Sequence, residues 1–420
     1  MKVAIVGAGW AGCAAAVEAT RRGHNVTIFE ASRTAGGRAR RVMATLNGLP
    51  IALDNGQHIL IGAYAETLRL MQEVGVDEAA SFLRLPLTMR FPDGSGLKLP
   101  DWPAPLDAVA GILTAGGWSW ADKLSLLRVA LGWRLDGFTC PPGQSVSDLC
   151  RSLAPGPMAL LIEPLCVSAL NTPPERACGQ VFLRVMRDAL FAQSGGSNLL
   201  LPRADLSALL PDAALAWLAV HDGAQRLGVR VQSLSPAGPG WAVDSETFDR
   251  VLLACPPAEA ARLVQGSGVA ADAWLAQARG LAHEALTTVY VSCAGARLTQ
   301  PMLALHASEG EPAQFVFDRG QLGGPAGLLA FVVSASTGDS ATLTRQVLGQ
   351  AARQLGLADV QPVQTIVEKR ATFACTPGLQ RPAQQVADGL LACGDYITGP
   401  YPATLEGAVR SGLEAARSLR

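Results

Sequence analysis

The run from Lys2 to Glu30 constrains this chain more than any other stretch, because it specifies a strand, a tight turn, a helix and a second strand in succession. Val3, Ala4, Ile5 and Val6 form a short continuous apolar run, the pattern of a parallel strand buried on both faces. Gly7-Ala8-Gly9-Trp10-Ala11-Gly12 follows at once with the spacing G-x-G-x-x-G. Its glycines have separate tasks: Gly7 permits the tight turn, Gly9 lets backbone approach a pyrophosphate, and Gly12 lets the next helix pack close to the strand. A helix is predicted from about Ala11 to Arg22, ended by Gly23, with its free N–H groups and positive dipole end toward phosphates. Val26 to Phe29 reads as the second strand, and Glu30 at its end is placed to accept hydrogen bonds from an adenosine ribose. Glycine spacing alone is a weak signal in a chain with 44 glycines, where a close-packed helix start would explain it. Strand, glycines, helix and acid in this order make dinucleotide binding the stronger reading. An acid at position 30 disfavours a 2′-phosphate and leaves FAD or NAD.

Length and composition bound the rest. A chain of 420 residues predicts roughly two or three domains. Hydrophobic residues make up 49% and charged residues 16%, against roughly 25% charged in an average soluble chain. Either much surface is buried or part of it faces something oily. The net charge is −1 with both signs mixed, which predicts no nucleic-acid partner. Nine cysteines are scattered singly with no C-x-x-C and no metal spacing, as expected of reduced thiols in a cytoplasm. The apolar start resembles a signal peptide, but the glycine fingerprint and Glu18 inside it argue against export. No stretch approaches the roughly 18 uninterrupted apolar residues of a membrane span.

Beyond Glu30, Gly36-Gly37-Arg38 suits a second close backbone approach to a pyrophosphate, with Arg38 supplying charge, in preference to a flexible surface loop. Leu53-Asp54-Asn55-Gly56-Gln57-His58-Ile59 is a polar cluster bracketed by apolar residues. Asp54 and His58 are the first ionisable residues with a chemical role to offer, against the ordinary case of a structural histidine. Residues 63–80 predict a helix, and 82–99 predict short strands around the turn at 92–96. The segment 105–135 combines Trp118, Trp120 and Trp133 with many aliphatic residues and few charges. Bundle-core helices explain it most simply; the alternative is a lipid-facing rim, with Lys123, Arg128 and Arg134 beside the tryptophans. Further helices are predicted at 146–153, 158–169, 181–191, 206–227 and 342–355. Strands are predicted at 228–232, 241–243, 249–254, 285–293, 315–317, 328–333, 365–373 and 390–393, with a domain boundary near 200. A final helix opens after Tyr401 with its N-terminus free.

Three pieces together resemble the FAD-dependent amine oxidase and carotenoid desaturase superfamily. They are the opening fingerprint with Gly36-Gly37-Arg38, the strand end Leu252-Leu253-Ala254-Cys255-Pro256, and Gly394-Asp395 with Glu406-Gly407-Ala408 and Ser411-Gly412. The resemblance implies FAD, with Gly394 and Asp395 at the ribityl or pyrophosphate region, Val231 near the adenine, and the last helix, from Leu405, pointing its N-terminus at the flavin pyrimidine. A helix N-terminus suits the negative charge of reduced flavin. Asp54-Asn55-Gly56-Gln57-His58, Leu170-Asn171-Thr172-Pro173 and Glu368-Lys369-Arg370-Ala371-Thr372-Phe373 are similar to the squalene-associated flavoenzymes of bacterial hopanoid synthesis, the hydroxysqualene dehydroxylases. That likeness implies reduction of an allylic alcohol, hydroxysqualene, to squalene, with an acid to protonate the departing hydroxyl and an apolar tunnel.

The expectation is therefore an α/β chain: a Rossmann-like FAD-binding domain from the discontinuous segments 1–62, 200–260 and 385–420, plus an α+β substrate domain with a helical cap from 63–199 and 261–384. Gly7, Gly9, Gly12, Glu30, Gly37, Arg38, Val231, Gly394, Asp395 and Leu405 are the cofactor candidates. Asp54 and His58 lead for catalysis, with Glu284 or Tyr401 behind them and Arg370 as a group that holds a carboxylate. The partners expected are a hydrophobic isoprenoid and an electron donor that the sequence does not identify. The location expected is the cytoplasm, with peripheral contact at the inner face of its membrane as the further possibility. A carotenoid desaturase or amine oxidase of the same fold, or a lipid-carrying protein without redox work, are the competing readings.

Overall fold

The computed structural model describes residues 1–191 and 194–419. Its centre is a parallel sheet in the order Ala224–Leu227, Asn25–Glu30, Lys2–Val6, Arg250–Leu253 and Leu390–Ala392, with Gln385–Ala387 added antiparallel at the edge. Val3 pairs with Val26 on one side and Arg250 on the other. A strand paired on both edges and covered on both faces has no solvent side, and Val3, Ala4 and Ile5 are fully buried.

The first helix, Trp10–Arg21, packs against this sheet and against the closing helix, Leu405–Arg417. Alanines dominate the first helix, and a Cβ at Gly412 would lie 2.1 Å from the Ala11 carbonyl oxygen. Small residues on both sides let the two ends of the chain meet, and Arg417 Nε reaches Glu18 Oε1 at 3.2 Å.

A second, antiparallel sheet runs Met302–Ala304, Phe315–Asp318, Leu328–Ser334, His283–Ser292, Gln361–Phe373. Its alternation is that of a sheet buried on both faces. Val289, Val291 and Phe331 turn toward the helix Ser340–Leu355, in one core with Leu343, Val347 and Ala351. Phe315, Phe317 and Val332 turn the other way and line a cavity. A helical cap lies between the sheets in sequence, including Leu106–Leu113, Trp120–Leu135 and Gly179–Leu190. Trp133 meets Phe182 edge-to-face at 6.2 Å.

Several elements depart from the sequence expectation, each for a local reason. The helix expected over 206–227 is two helices, Leu206–Leu209 and Pro211–Val220. Pro211 disfavours helical backbone at Leu210, which sits at φ −147°. The strand expected at 228–232 lies instead at Ala224–Leu227, so Val231 is on the exposed loop after it, with its own side chain turned in and buried. Gly75, at φ +87°, ends the helix that was expected to reach position 80. The strand Gln361–Phe373 begins earlier than predicted because Pro362 hid its start; it is an edge strand, where proline is tolerated.

Candidate functional site

The fingerprint turn is held by contacts that leave no room for side chains. Gly7 has φ +115°, and a Cβ there would lie 2.5 Å from the Ala254 carbonyl oxygen. A Cβ on Gly12 would lie 1.9 Å from the Gly7 oxygen, so only glycine lets the helix start this close to the strand. Gly36 N donates to Ala8 O at 2.8 Å, which brings the second glycine pair against the first. Gly37, at φ +61°, would press a Cβ to 3.3 Å from the Gly9 Cα. Together Gly9 and Gly37 form a cradle of bare backbone. Glu30 closes its side, accepting from Ala8 N and Ser32 N at 2.8 Å each.

The far end of the chain completes this cradle. Arg38 Nη2 donates to Asp395 Oδ1 at 2.6 Å, and its Nη1 to the Ala371 carbonyl at 2.7 Å. Gly394, at φ +153°, leads into Asp395. The closing helix starts at Leu405, with Thr404 as its cap accepting from Gly407 N at 2.9 Å. Its buried Glu406 ties back to Thr67 Oγ1 at 2.7 Å.

A cavity of about 820 Å³ begins at this cradle. Gly7, Gly9, Glu30, Gly37, Arg38, Val231, Gly394, Asp395 and Leu405 all line it. Gly12 does not; it acts behind the wall by allowing the close approach of helix and strand. The other end is lined by Leu165, Val185, Met186, Phe315, Phe317 and Val332. The nucleotide-like end and the apolar end are one space.

Among the ionisable candidates, the structure separates the two placed first. His58 lines the cavity, with its Nδ1 2.6 Å from the Gly56 carbonyl. Burial lowers its pKa below the usual imidazole value, and the nearby Arg38 adds to that, against the Gly56 bond. Asp54 is not part of the lining: its Oδ1 accepts from Leu206 N at 2.8 Å, and its backbone exchanges hydrogen bonds with Tyr290 Oη. Burial lifts the Asp54 pKa to about 6, with Arg319 pulling the other way. Glu284 is also outside the lining, paired with Arg176 at 2.8 Å. Tyr401 lines the cavity and donates to Asp188 Oδ2 at 2.9 Å; burial, then Asp188, raise its pKa. Arg370 lines the cavity as well, its backbone N donating to Glu368 Oε1 at 3.2 Å.

Among the lining residues that the sequence did not single out, three bear on the polar side of the cavity. Glu368 accepts from Asn55 Nδ2 at 3.1 Å, joining the polar cluster to the second sheet's edge strand. Gln57 Nε2 and Tyr396 Oη are buried without hydrogen-bond partners among the described residues, and both residues line the cavity. Position inside the two quoted clusters was the available signal for Glu368 and Gln57. Tyr396, next to Asp395, had none beyond adjacency.

Residues 10–420 match the family described as flavin containing amine oxidoreductase. The chain belongs to that family. As a flavin-containing amine oxidoreductase it is an FAD-dependent oxidoreductase, and FAD is its cofactor. The residues fit that group: the glycine cradle would be filled by any Cβ at Gly37, and the unpartnered Gln57 and Tyr396 offer hydrogen bonds into the same space. The chain is similar to the hydroxysqualene dehydroxylase of Rhodopseudomonas palustris, 30% identical over 99% of this chain and 97% of that one. The enzyme of the same name from Sinorhizobium fredii is 26% identical over the same shares. Among solved structures, an oxidoreductase from Methanosarcina mazei superposes with a TM-score of 0.74 over 100% of both chains at 17% identity. That last likeness establishes the shared fold. No helix among the described residues is long and apolar enough to cross a membrane.

Proposed function

We propose that the protein reductively removes the hydroxyl of hydroxysqualene to give squalene. The observation that carries the reading is continuity: the cavity runs unbroken from the nucleotide cradle to a wall of Leu165, Val185, Met186, Phe315, Phe317 and Val332. A slot of this kind selects a long apolar molecule with one polar group near the cofactor. Full-length likeness to proteins named for this alcohol favours it over other isoprenoids.

The reaction balances as an alcohol, two electrons and two protons giving a hydrocarbon and water. The C–O bond breaks, a C–H bond forms, and the hydroxyl leaves protonated. FAD, when bound reduced, supplies a hydride equivalent to the carbon. The chain's own residues bind, orient and exclude water. Glu30, Arg38 and Asp395 would hold the nucleotide and ribityl portions, Val231 would serve the adenine, and the N-terminus of the closing helix would offset negative charge on the reduced flavin.

His58 is assigned the substrate hydroxyl and its proton. In the neutral ring, Nδ1–H donates to Gly56 O and Nε2 is left to accept from the hydroxyl. Delivering a proton requires the imidazolium, which burial disfavours, so turnover should rise on acidification. Asp54 is assigned to support rather than chemistry, since it binds Leu206 N behind the lining. The electrons come from a donor outside this chain, and nine free cysteines favour a reducing compartment such as the cytoplasm.

The test is a product assay. The flavin-loaded protein, reduced anaerobically with dithionite, is expected to convert hydroxysqualene to squalene. No squalene, with oxidation of phytoene or of amines by the oxidised protein, would move the reading to a desaturase or amine oxidase.

A further inference from the structure

The cap exposes large apolar side chains in a pattern that folding alone does not explain. On the helix Leu106–Leu113, Leu106, Val109 and Leu113 are exposed, with Trp102 just ahead at 56%. On Trp120–Leu135, the exposed residues are Trp120 at 68%, Leu124 at 61%, Leu131 at 56% and Leu135 at 78%. Each helix's exposed residues fall within an arc of about 60°. The opposite face of the second helix is also apolar and already buried, through Leu126 and Val129, whereas the first helix buries Asp107, Gly111 and Ile112. A helix that is apolar on both faces belongs in a core or in lipid, and these outward faces are not in the core. Lys123 Nζ, 2.8 Å from the Leu113 carbonyl, ties the two helices together.

We propose that this two-helix face is a membrane-docking surface whose partner is a bilayer containing anionic lipid. Charge complementarity selects that occupant. Arg128 stands among the exposed residues of the second helix and Arg134 near its end, and neither guanidinium makes a hydrogen bond or ion pair among the described residues. Lys123 Nζ lies 5.1 Å from the Trp120 ring centroid, where an amphipathic pair meets a headgroup layer. The helix's own acid, Asp122, is engaged as a cap partner by Ser119 N and Oγ. Asp107 on the first helix is buried away from the face, and Asp101 and Asp136 lie at the ends of the patch. The uncompensated charge within the face is positive, which suits lipid phosphate. An isologous contact between two copies would set that charge against itself.

The face is also one helix away from the cavity. Trp133 packs on Phe182, and the helix carrying Phe182 lines the apolar end with Val185 and Met186. Delivery of an oily substrate through this wall rests on the proposed function; the docking surface does not.

Flotation of the flavin-loaded protein with vesicles of phosphatidylcholine, with and without phosphatidylglycerol, tests the proposal. The protein is expected to float, more strongly with the anionic lipid. The double substitution Leu124→Glu with Leu131→Glu should lower partitioning at least about tenfold, with the flavin spectrum retained because both sites are exposed. Arg128→Glu should reduce the preference for anionic vesicles about fivefold. On the unsubstituted protein, amide exchange in 106–113 and 120–135 should slow when vesicles are added. Protein that stays at the bottom of the gradient with both lipids, or unchanged exchange in these helices, overturns the proposal. So does a dimer in lipid-free buffer that the double substitution converts to monomer, since the face would then belong to a second copy. Flotation without turnover of hydroxysqualene upholds the surface and rejects the substrate.

Discussion

The two ends of the cavity are built by different means. At the nucleotide end the wall is backbone: Gly7, Gly9 and Gly37 present bare peptide, fixed by Gly36 N to Ala8 O and by the pair of Arg38 with Asp395. At the other end the wall is side chains, from Leu165 and Val185 in the cap to Phe317 and Val332 in the second sheet. Backbone recognition demands glycine at fixed offsets and so tolerates almost no change. Side-chain recognition needs only apolar volume and should be graded in its response.

Substitutions at the two ends should therefore fail differently. The largest effect is expected for Gly12→Val, whose side chain would start 1.9 Å from the Gly7 oxygen; the purified protein should be colourless, and a yellow one would refute the cradle. His58→Gln changes the ionisable group that lines the cavity. It should keep the flavin spectrum and lose at least about 100-fold in kcat, the usual share of a positioned acid. In the unsubstituted protein kcat/KM should rise as pH falls from 8 through the ordinary imidazole range near pH 6.5, because burial places the His58 pKa below it; the variant should lose that dependence. Arg38→Ala should weaken FAD retention by roughly 10- to 100-fold, the value of a charge-assisted hydrogen bond, read by flavin titration of the apoprotein. The partial exposure of Arg38 favours the lower figure.

Val185→Asp probes the graded end. It should lower kcat/KM for hydroxysqualene about tenfold or more while leaving the flavin spectrum unchanged, since it puts an unpaired charge against an apolar substrate. The smallest effect on turnover is expected for Asp54→Asn. The folded protein holds this carboxyl at about pH 6, above its ordinary 3.8, so it binds the proton more tightly than the unfolded chain does. Its contribution to stability is thus present below about pH 4 and lost as pH rises through 6. An asparagine, which still accepts from Leu206 N, should leave turnover unchanged and stabilise the fold above pH 6 by on the order of 1–3 kcal/mol. Thermal unfolding at pH 5 and pH 8 checks the sign. A large loss of turnover would return Asp54 to the chemistry.

The same contrast explains what could be read in advance. The strand at Lys2–Val6, the helix after it and the acid at Glu30 lie within one local unit, so their order alone carries the nucleotide fold. The contact of Arg38 with Asp395 spans most of the chain: Arg38 was legible from the glycine pair before it, while the role of Asp395 came only through resemblance. Asp54 and His58 lie in one polar cluster and looked alike, yet Tyr290 and Leu206 hold the first behind the wall while the second faces the cavity. The segment 105–135 allowed either a bundle core or a lipid-facing rim. Periodicity could not decide between them, because the helix Trp120–Leu135 is apolar on both faces and only packing shows which face is covered.

Taken by itself, the sequence determined the parallel sheet, the glycine turn and the chemistry of a dinucleotide ligand, because close backbone approach permits only one residue type at each of those positions. Tertiary structure alone decided which polar groups face the cavity, how far the apolar wall extends and which stripe of the cap remains in solvent. Those outcomes depend on contacts between residues far apart in the chain, and an apolar or ionisable side chain carries no mark of the partner it will meet.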